Sequence, residues 1–287
     1  MTKRRAPPRD DVSAIDKVKQ RLDEMGLDDT SFFKPKEGRN TIRVLPGVGE
    51  MDDYFWTVVG KHYIPGAQHA TTCPLITADN PCPICEYVSS LYRSTDSDEK
   101  DVAKRIRAQR QYWINVINRD KENLGPLIYP APKTVFAAIA SLVKDPDYGA
   151  VYDVDVGTDV VITRTGTGIE TRYQVQAKRK ESPLSDDDDQ VAKWLDATID
   201  LTPIELSDDP EEDDYYTRDE EGNLYGIVYI KPYDRLKTEF DAMLTGSDEE
   251  EAEAPPMPDD DDDDDDENVR SVIRRRRNRK TPRRTRK

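Results

Sequence analysis

The stretch CPLITADNPCPIC, residues 73–85, holds all three cysteines of the chain. Cys82 and Cys85 flank Pro83-Ile84, and two thiolates at that spacing can reach one ion while the backbone amides of the turn face the sulfurs. A tetrahedral Zn2+ asks for four such donors. Cys73 supplies a third. The chain's two histidines, His62 and His69, are the candidates for the fourth. His62 closes a predicted strand, which fixes its position, whereas His69 lies in a loop with three residues between it and Cys73; the fixed position favours His62. Four protein ligands leave no open coordination position, so the site reads as one structural Zn2+ folding a loop too polar to fold alone. The same two-residue spacing serves thioredoxin-like redox enzymes, but those need neither a third cysteine nor a nearby histidine. An odd cysteine count argues against a pure disulfide framework.

Outward from this loop the pattern is mostly strand. Upstream lie TIRVLPG (41–47) and YFWTVVGKHYI (54–64), with turn residues at their ends. Downstream, EYVSSLYRS (86–94) and DSDEKDVAKRIRAQR (96–110) predict helices, and QYWINVINR (111–119) a strong strand. PLIYPAP (126–132) is a weaker strand. KTVFAAIASLVKD (133–145) is an amphipathic helix with Val135, Phe136, Ile139, Leu142 and Val143 on one side. TDVVITRTGTGIETRYQVQAKRK (158–180) reads as a hairpin about Gly166 and Gly168. Two short helices around 191–195 and 235–244, and a strand at 225–230, complete the folded part. Short strands, a few helices and an inserted loop define an α+β fold on a small barrel. Strand alternation makes Trp113 a core residue and turns Tyr112 to the other face.

The ends differ in kind. Residues 1–12 read as a disordered basic arm (TKRRAPPR), and 13–30 as a helix capped by Ser13 and stopped by Gly26. Residues 31–247 form the core, with the zinc-binding subdomain at about 60–95, and 248–287 are a disordered tail. That tail carries eight consecutive aspartates (259–266) and then RRRRNRKTPRRTRK (274–287). Such like-charge blocks repel themselves and stay extended. The net charge of −16 is unevenly spread: residues 31–180 sum to +2 and residues 181–247 to −15. Only the near-neutral part has to meet a polyanion. No run approaches the ~20 apolar residues of a membrane helix, and no apolar stretch follows the basic start, so neither a membrane span nor a secretory signal is expected.

The order NTIRVLPG, His, CP…CPICEYVSSLY, a basic segment, then QYWINV resembles the gene 32-type single-stranded DNA-binding proteins of tailed bacteriophages, over about residues 30–180. The resemblance implies an OB-like β-barrel with an inserted zinc-binding subdomain and peripheral helices, and a single strand lying between barrel and subdomain. It implies zinc ligands His62, Cys73, Cys82 and Cys85, a phosphate contact at Arg43, and base-contacting rings at Tyr92 and Tyr112. It also implies self-association along DNA through the N-terminal basic arm, and an acidic C-terminal segment that recruits replication and recombination proteins. The setting would be phage DNA replication, recombination and repair in the cytoplasm of the infected bacterial host. The family's acidic tail normally ends the chain; here a basic stretch follows it.

Sequence-independent single-strand binding requires cations along the backbone and rings on which bases stack. Lys61, Arg93, Lys104, Arg105, Arg107, Arg110, Arg172 and Lys178, with Arg43, offer the charge, and Tyr63, Tyr92, Tyr112 and Tyr173 interleave as rings. No nucleophile–base pair or phosphate loop is recognisable, so a non-enzymatic role is expected. The competing reading is a zinc-ribbon transcription or adaptor protein that binds duplex DNA or protein partners.

Overall fold

The computed structural model describes residues 32–49, 52–65, 67, 69–209 and 228–245. The expected basic arm, the helix at 13–30 and the tail at 248–287 lie outside the described residues.

Seven strands form one antiparallel sheet: β1 (Gly38–Val44), β2 (Thr57–His62), β3 (Thr71–Thr72), β4 (Gln109–Asn118), β5 (Pro126–Ala131), β6 (Val160–Thr165) and β7 (Arg172–Ala177). β4 organises it. Its ten residues, rich in β-branched and aromatic side chains, are long enough to serve three neighbours. The first half pairs with β2, so that Gly60 faces Arg110 and Val58 faces Tyr112. The last residues pair with β1. The opposite edge carries β5. β1 continues to β6 and then to β7, whose hairpin turns through Gly166 at φ 77°. A Cβ at Gly166 would also meet the Glu170 carbonyl oxygen at 2.4 Å, so only glycine fits there.

No ladder joins β5 to β7 among the described residues, so hydrogen-bonded barrel closure is not seen. Helix α4 (Lys133–Lys144) packs against β7 as well as β4 and β5. Val135 and Ile139 from α4 are buried in one core with Ile42, Val44, Ile114, Val116, Leu127 and Ile162. The helix thus covers apolar strand faces that barrel closure would otherwise cover.

Before β4 comes the inserted lobe: α1 (Pro74–Ala78), α2 (Pro83–Tyr92) and α3 (Ser97–Ile106). Asp96 caps α3 by accepting from the Asp98 amide, and the basic pair Lys104-Arg105 falls in its last turn, opposite in charge to that helix end. The helix stops sooner than the sequence suggests. Arg107 turns extended and Gln109 already belongs to β4, so Arg110 sits on a strand. Ile84, Val88, Leu91, Val102 and Ile106 form the lobe's own core.

The acidic region 181–209 covers the back of the sheet. Leu184 and Trp194 pack on Leu45 and Ile117, and Leu201 with Val228 packs on Val59, Trp113 and Ile128. Helix α5 (Asp188–Asp196) lies there, capped by Asp187. A parallel pair, β8 (Ile204–Glu205) and β9 (Tyr229–Ile230), leads to α6 (Tyr233–Thr245). α6 inserts Leu236 and Phe240 into the core of the lobe, and Tyr233 donates to Glu86 of α2 at 2.8 Å. Among the described residues no helix is long and apolar enough to cross a membrane.

Candidate metal centre and nucleic-acid interface

Two Cys-Pro steps build the metal centre. Cys73 and Cys82 are the N-cap residues of α1 and α2, each followed by proline in the first turn, where its missing N–H costs nothing. Cys85 lies in the first turn of α2. Helix N-termini favour negative charge and so favour thiolates. His62, the last residue of β2, completes the set: the four donor atoms lie within 4.8 Å of one another. Nε2 of His62 is 3.5 Å from Sγ of Cys82 and 3.6 Å from Sγ of Cys85, and the Cys73 and Cys85 sulfurs are 3.5 Å apart. A tetrahedral ion with Zn-like bond lengths separates sulfur from nitrogen by about 3.5 Å and two sulfurs by about 3.8 Å. His62 Nδ1 donates to the Ile106 carbonyl oxygen at 2.8 Å, which fixes the tautomer and leaves Nε2 as the metal-facing lone pair. His69 is exposed and outside the cluster. Hydrogen bonds from Cys82 and Cys85 draw the Cys73 thiol down to about 3, while the bonds to Cys73 and Cys82 push Cys85 up. Three thiols this close cannot all ionise without a cation between them. The cluster can hold one metal ion.

Strand parity sorts the expected DNA-contacting residues. On β2 and β4, His62, Gly60, Val58, Arg110 and Tyr112 share one face. The lobe rises directly over it: a Cβ at Gly60 would stand 2.6 Å from Cβ of Ile76 and 2.8 Å from Cβ of Cys73, and the Gly60 amide donates to Thr77 Oγ1. Arg110 is exposed beside this contact. Tyr112 is half-buried, its ring stacked on Phe136 of α4 at 4.1 Å and 3°. Tyr92 and Arg93 are exposed at the end of α2, and Lys104 and Arg107 are exposed around the end of α3, with Arg105 half-buried. Lys104 is paired with Asp101. Arg172 is exposed on β7, whereas Tyr173 turns inward and packs against the main core.

Three expectations need correction. Arg43 is 0% exposed; its Nε bonds Asp159 at 3.0 Å and its other nitrogens hold Ser182, so it is a buried tie between β1 and the chain that covers the back. Lys178 bonds the same Asp159, which also takes Arg119, but stays exposed. Lys61 has the opposite parity to Arg110. Its amine lies 5.1 Å from the Trp113 ring centre and donates to Thr72, and burial pulls it down to about 8. Tyr63 is buried beside it, accepting a hydrogen bond from Gln111, and burial holds its hydroxyl at about 12. Neither Lys61 nor Tyr63 lies on the face that carries Arg110.

Two aromatic residues linked to Tyr112 through Phe136 escape the sequence reading. Tyr54 is 52% exposed and Trp56 half-buried, while Phe55 between them is buried. Three aromatics in a row before a valine pair are the signal; read as strand alone, they look like core.

The family model described as "gp32 DNA binding protein like" matches residues 36–217. That is more than half of the chain, and the chain belongs to this family of DNA-binding proteins. No curated protein matches it.

Proposed function

We propose that this protein binds single-stranded DNA without regard to sequence, in a cleft between the sheet and the metal lobe. The observation that carries the reading is the shared face of β2 and β4. Arg110 offers a cation and Tyr112 a ring, immediately beside a lobe held close by Gly60. Membership of a DNA-binding family supports it. Arg93, Arg105 and Arg107 extend the positive charge, and Tyr92 adds an exposed ring. The metal is Zn2+, which would be held by His62, Cys73, Cys82 and Cys85; its chemistry here is structural cross-linking of the lobe. The role is binding rather than catalysis. Cooperative self-association through the basic arm, recruitment of replication and recombination proteins by the acidic segment, and work in phage DNA replication, recombination and repair in the host cytoplasm complete the proposal.

The test is a titration of oligo-dT against the full chain, with zinc measured in the same sample and duplex DNA as competitor. Tight binding to oligo-dT, weak binding to duplex and one zinc per chain are expected. A preference for duplex would favour the zinc-ribbon alternative.

A further inference from the structure

The four rings beside the cleft form a connected series. Tyr54 meets Trp56 edge-to-face at 5.3 Å, Trp56 meets Phe136 at 5.4 Å, and Phe136 lies flat on Tyr112 at 4.1 Å. Just before β2, Phe55 is buried in the main core, where it stacks on Tyr152 at 4.9 Å; Trp56 packs half-buried against the same core and Tyr54 stays exposed. The series reaches solvent at one end: Trp56 and Phe136 are half-buried and Tyr54 is more than half exposed. The stacked Phe136 already holds the Tyr112 ring, so a base landing on its open face meets a pre-ordered partner and less rotamer freedom is lost on binding. Its inner end, Tyr112, shares a strand face with Arg110, so rings and cation come together there, as sequence-tolerant binding of unpaired bases requires.

We infer that Tyr54 and Trp56 are base-stacking residues that extend the cleft from Tyr112 out over the N-terminal end of α4. This rests on the single-strand reading above. The ligand is the flat face of unpaired bases, with no demand on their edges. The extension sets where the strand leaves the cleft: past the metal lobe at Arg110, across Tyr112, and on to the rings at 54 and 56.

The experiment compares Tyr54→Ala, Trp56→Ala and Trp56→Phe with the wild-type protein. Each binds oligo-dT and an abasic phosphodiester strand of equal length, and zinc content is measured alongside as a check on folding. Stacking is worth ~1–3 kcal/mol per base, so each alanine variant should lose about ten-fold in affinity for oligo-dT. Affinity for the abasic strand and the salt slope should not change. Trp56→Phe should keep most of the affinity. Trp113 and Trp194 are each 4% exposed, so Trp56 is the tryptophan placed to report bound bases. Quenching of tryptophan fluorescence by oligo-dT should therefore vanish in Trp56→Phe although binding persists. Undiminished affinity of the alanine variants for oligo-dT, equal losses on both strands, or quenching that survives in Trp56→Phe overturns the inference while leaving single-strand binding intact. Failure of the wild-type protein to bind oligo-dT sinks the single-strand reading itself, and this extension with it.

Discussion

The imidazole of His62 and the carbonyl of Ile106 tie the metal centre to the end of α3: Nδ1 donates to that oxygen at 2.8 Å. Arg107 follows directly, and three residues further on Arg110 stands in β4. The metal site therefore orients the start of β4, the strand that carries Arg110 and Tyr112. Stripping the metal with a chelator at neutral pH should melt α1 to α3 and release α6, whose Leu236 and Phe240 lean on the same core. Far-ultraviolet circular dichroism should show a loss of helix while the sheet persists. Affinity for oligo-dT should fall at the same time and return on adding zinc. Structural zinc contributes on the order of 10 kcal/mol in small domains, so a partial effect is not expected.

Gly60 is the point of closest approach between sheet and lobe. Any side chain there would overlap the Cβ atoms of Ile76 and Cys73, neither of which is the far end of a flexible chain. Gly60→Ala should push the lobe off the sheet, costing about 1–3 kcal/mol by overpacking. Because Cys73 is one of the atoms displaced, metal affinity should drop as well. A competition titration with a chromophoric chelator reads that directly. A variant with wild-type metal affinity would mean that the lobe shifts as a rigid body.

The metal set was legible because its information is local: a two-residue cysteine spacing, a third cysteine nearby and a histidine closing a strand. The main strands, the 160–177 hairpin and α4 were legible from periodicity for the same reason. Tyr112 and Trp113 were also separable, since alternation along one strand assigns them opposite faces. What alternation cannot say is which face stays open. Chain more than 80 residues downstream decides that, when Leu201 and Val228 cover the side of the sheet bearing Lys61 and Trp113. Arg43 was misplaced in the same way. Its partners Asp159 and Ser182 are over a hundred residues away, and an arginine with no visible partner reads as a surface cation. The small barrel was expected from short strands, a few helices and an inserted loop, and from the family resemblance; that a helix packs against β4, β5 and β7 in place of a closing ladder leaves no trace in strand patterns.

Asp159 is the shared acceptor of Arg43, Arg119 and Lys178. Burial pushes its carboxyl up, but the Lys178 hydrogen bond and the charges of Arg119 and Arg43 outweigh that and leave it below its ordinary value. A carboxyl lowered by folding stabilises the fold fully above its unfolded value of about 3.9, and that stabilisation is lost as the pH falls through the folded value. Asp159→Asn should cost about 3–5 kcal/mol at neutral pH, because it leaves the buried Arg43 guanidinium without its counter-charge. Thermal unfolding across pH checks both parts. The gap between wild type and variant should be constant from about pH 7 to 5 and shrink below about pH 4.

The placements of Arg110 and Arg43 make opposite predictions for the salt dependence of DNA binding. Each phosphate neutralised on a single strand contributes about 0.7 to the slope of log affinity against log salt. Arg110 is exposed on the face proposed to bind DNA, so Arg110→Gln should lower that slope by about 0.7 and leave the unfolding temperature nearly unchanged. Arg43 is fully buried on Asp159 and Ser182, so Arg43→Gln should lower the unfolding temperature and leave the slope of the folded protein alone. Lys61→Gln separates parity from proximity. Its position is one residue from Gly60 but turned to the Trp113 side, so the slope should not change. A slope reduced in Lys61→Gln and preserved in Arg110→Gln would place the strand on the other face of the sheet, against the surface that Leu201 and Val228 cover.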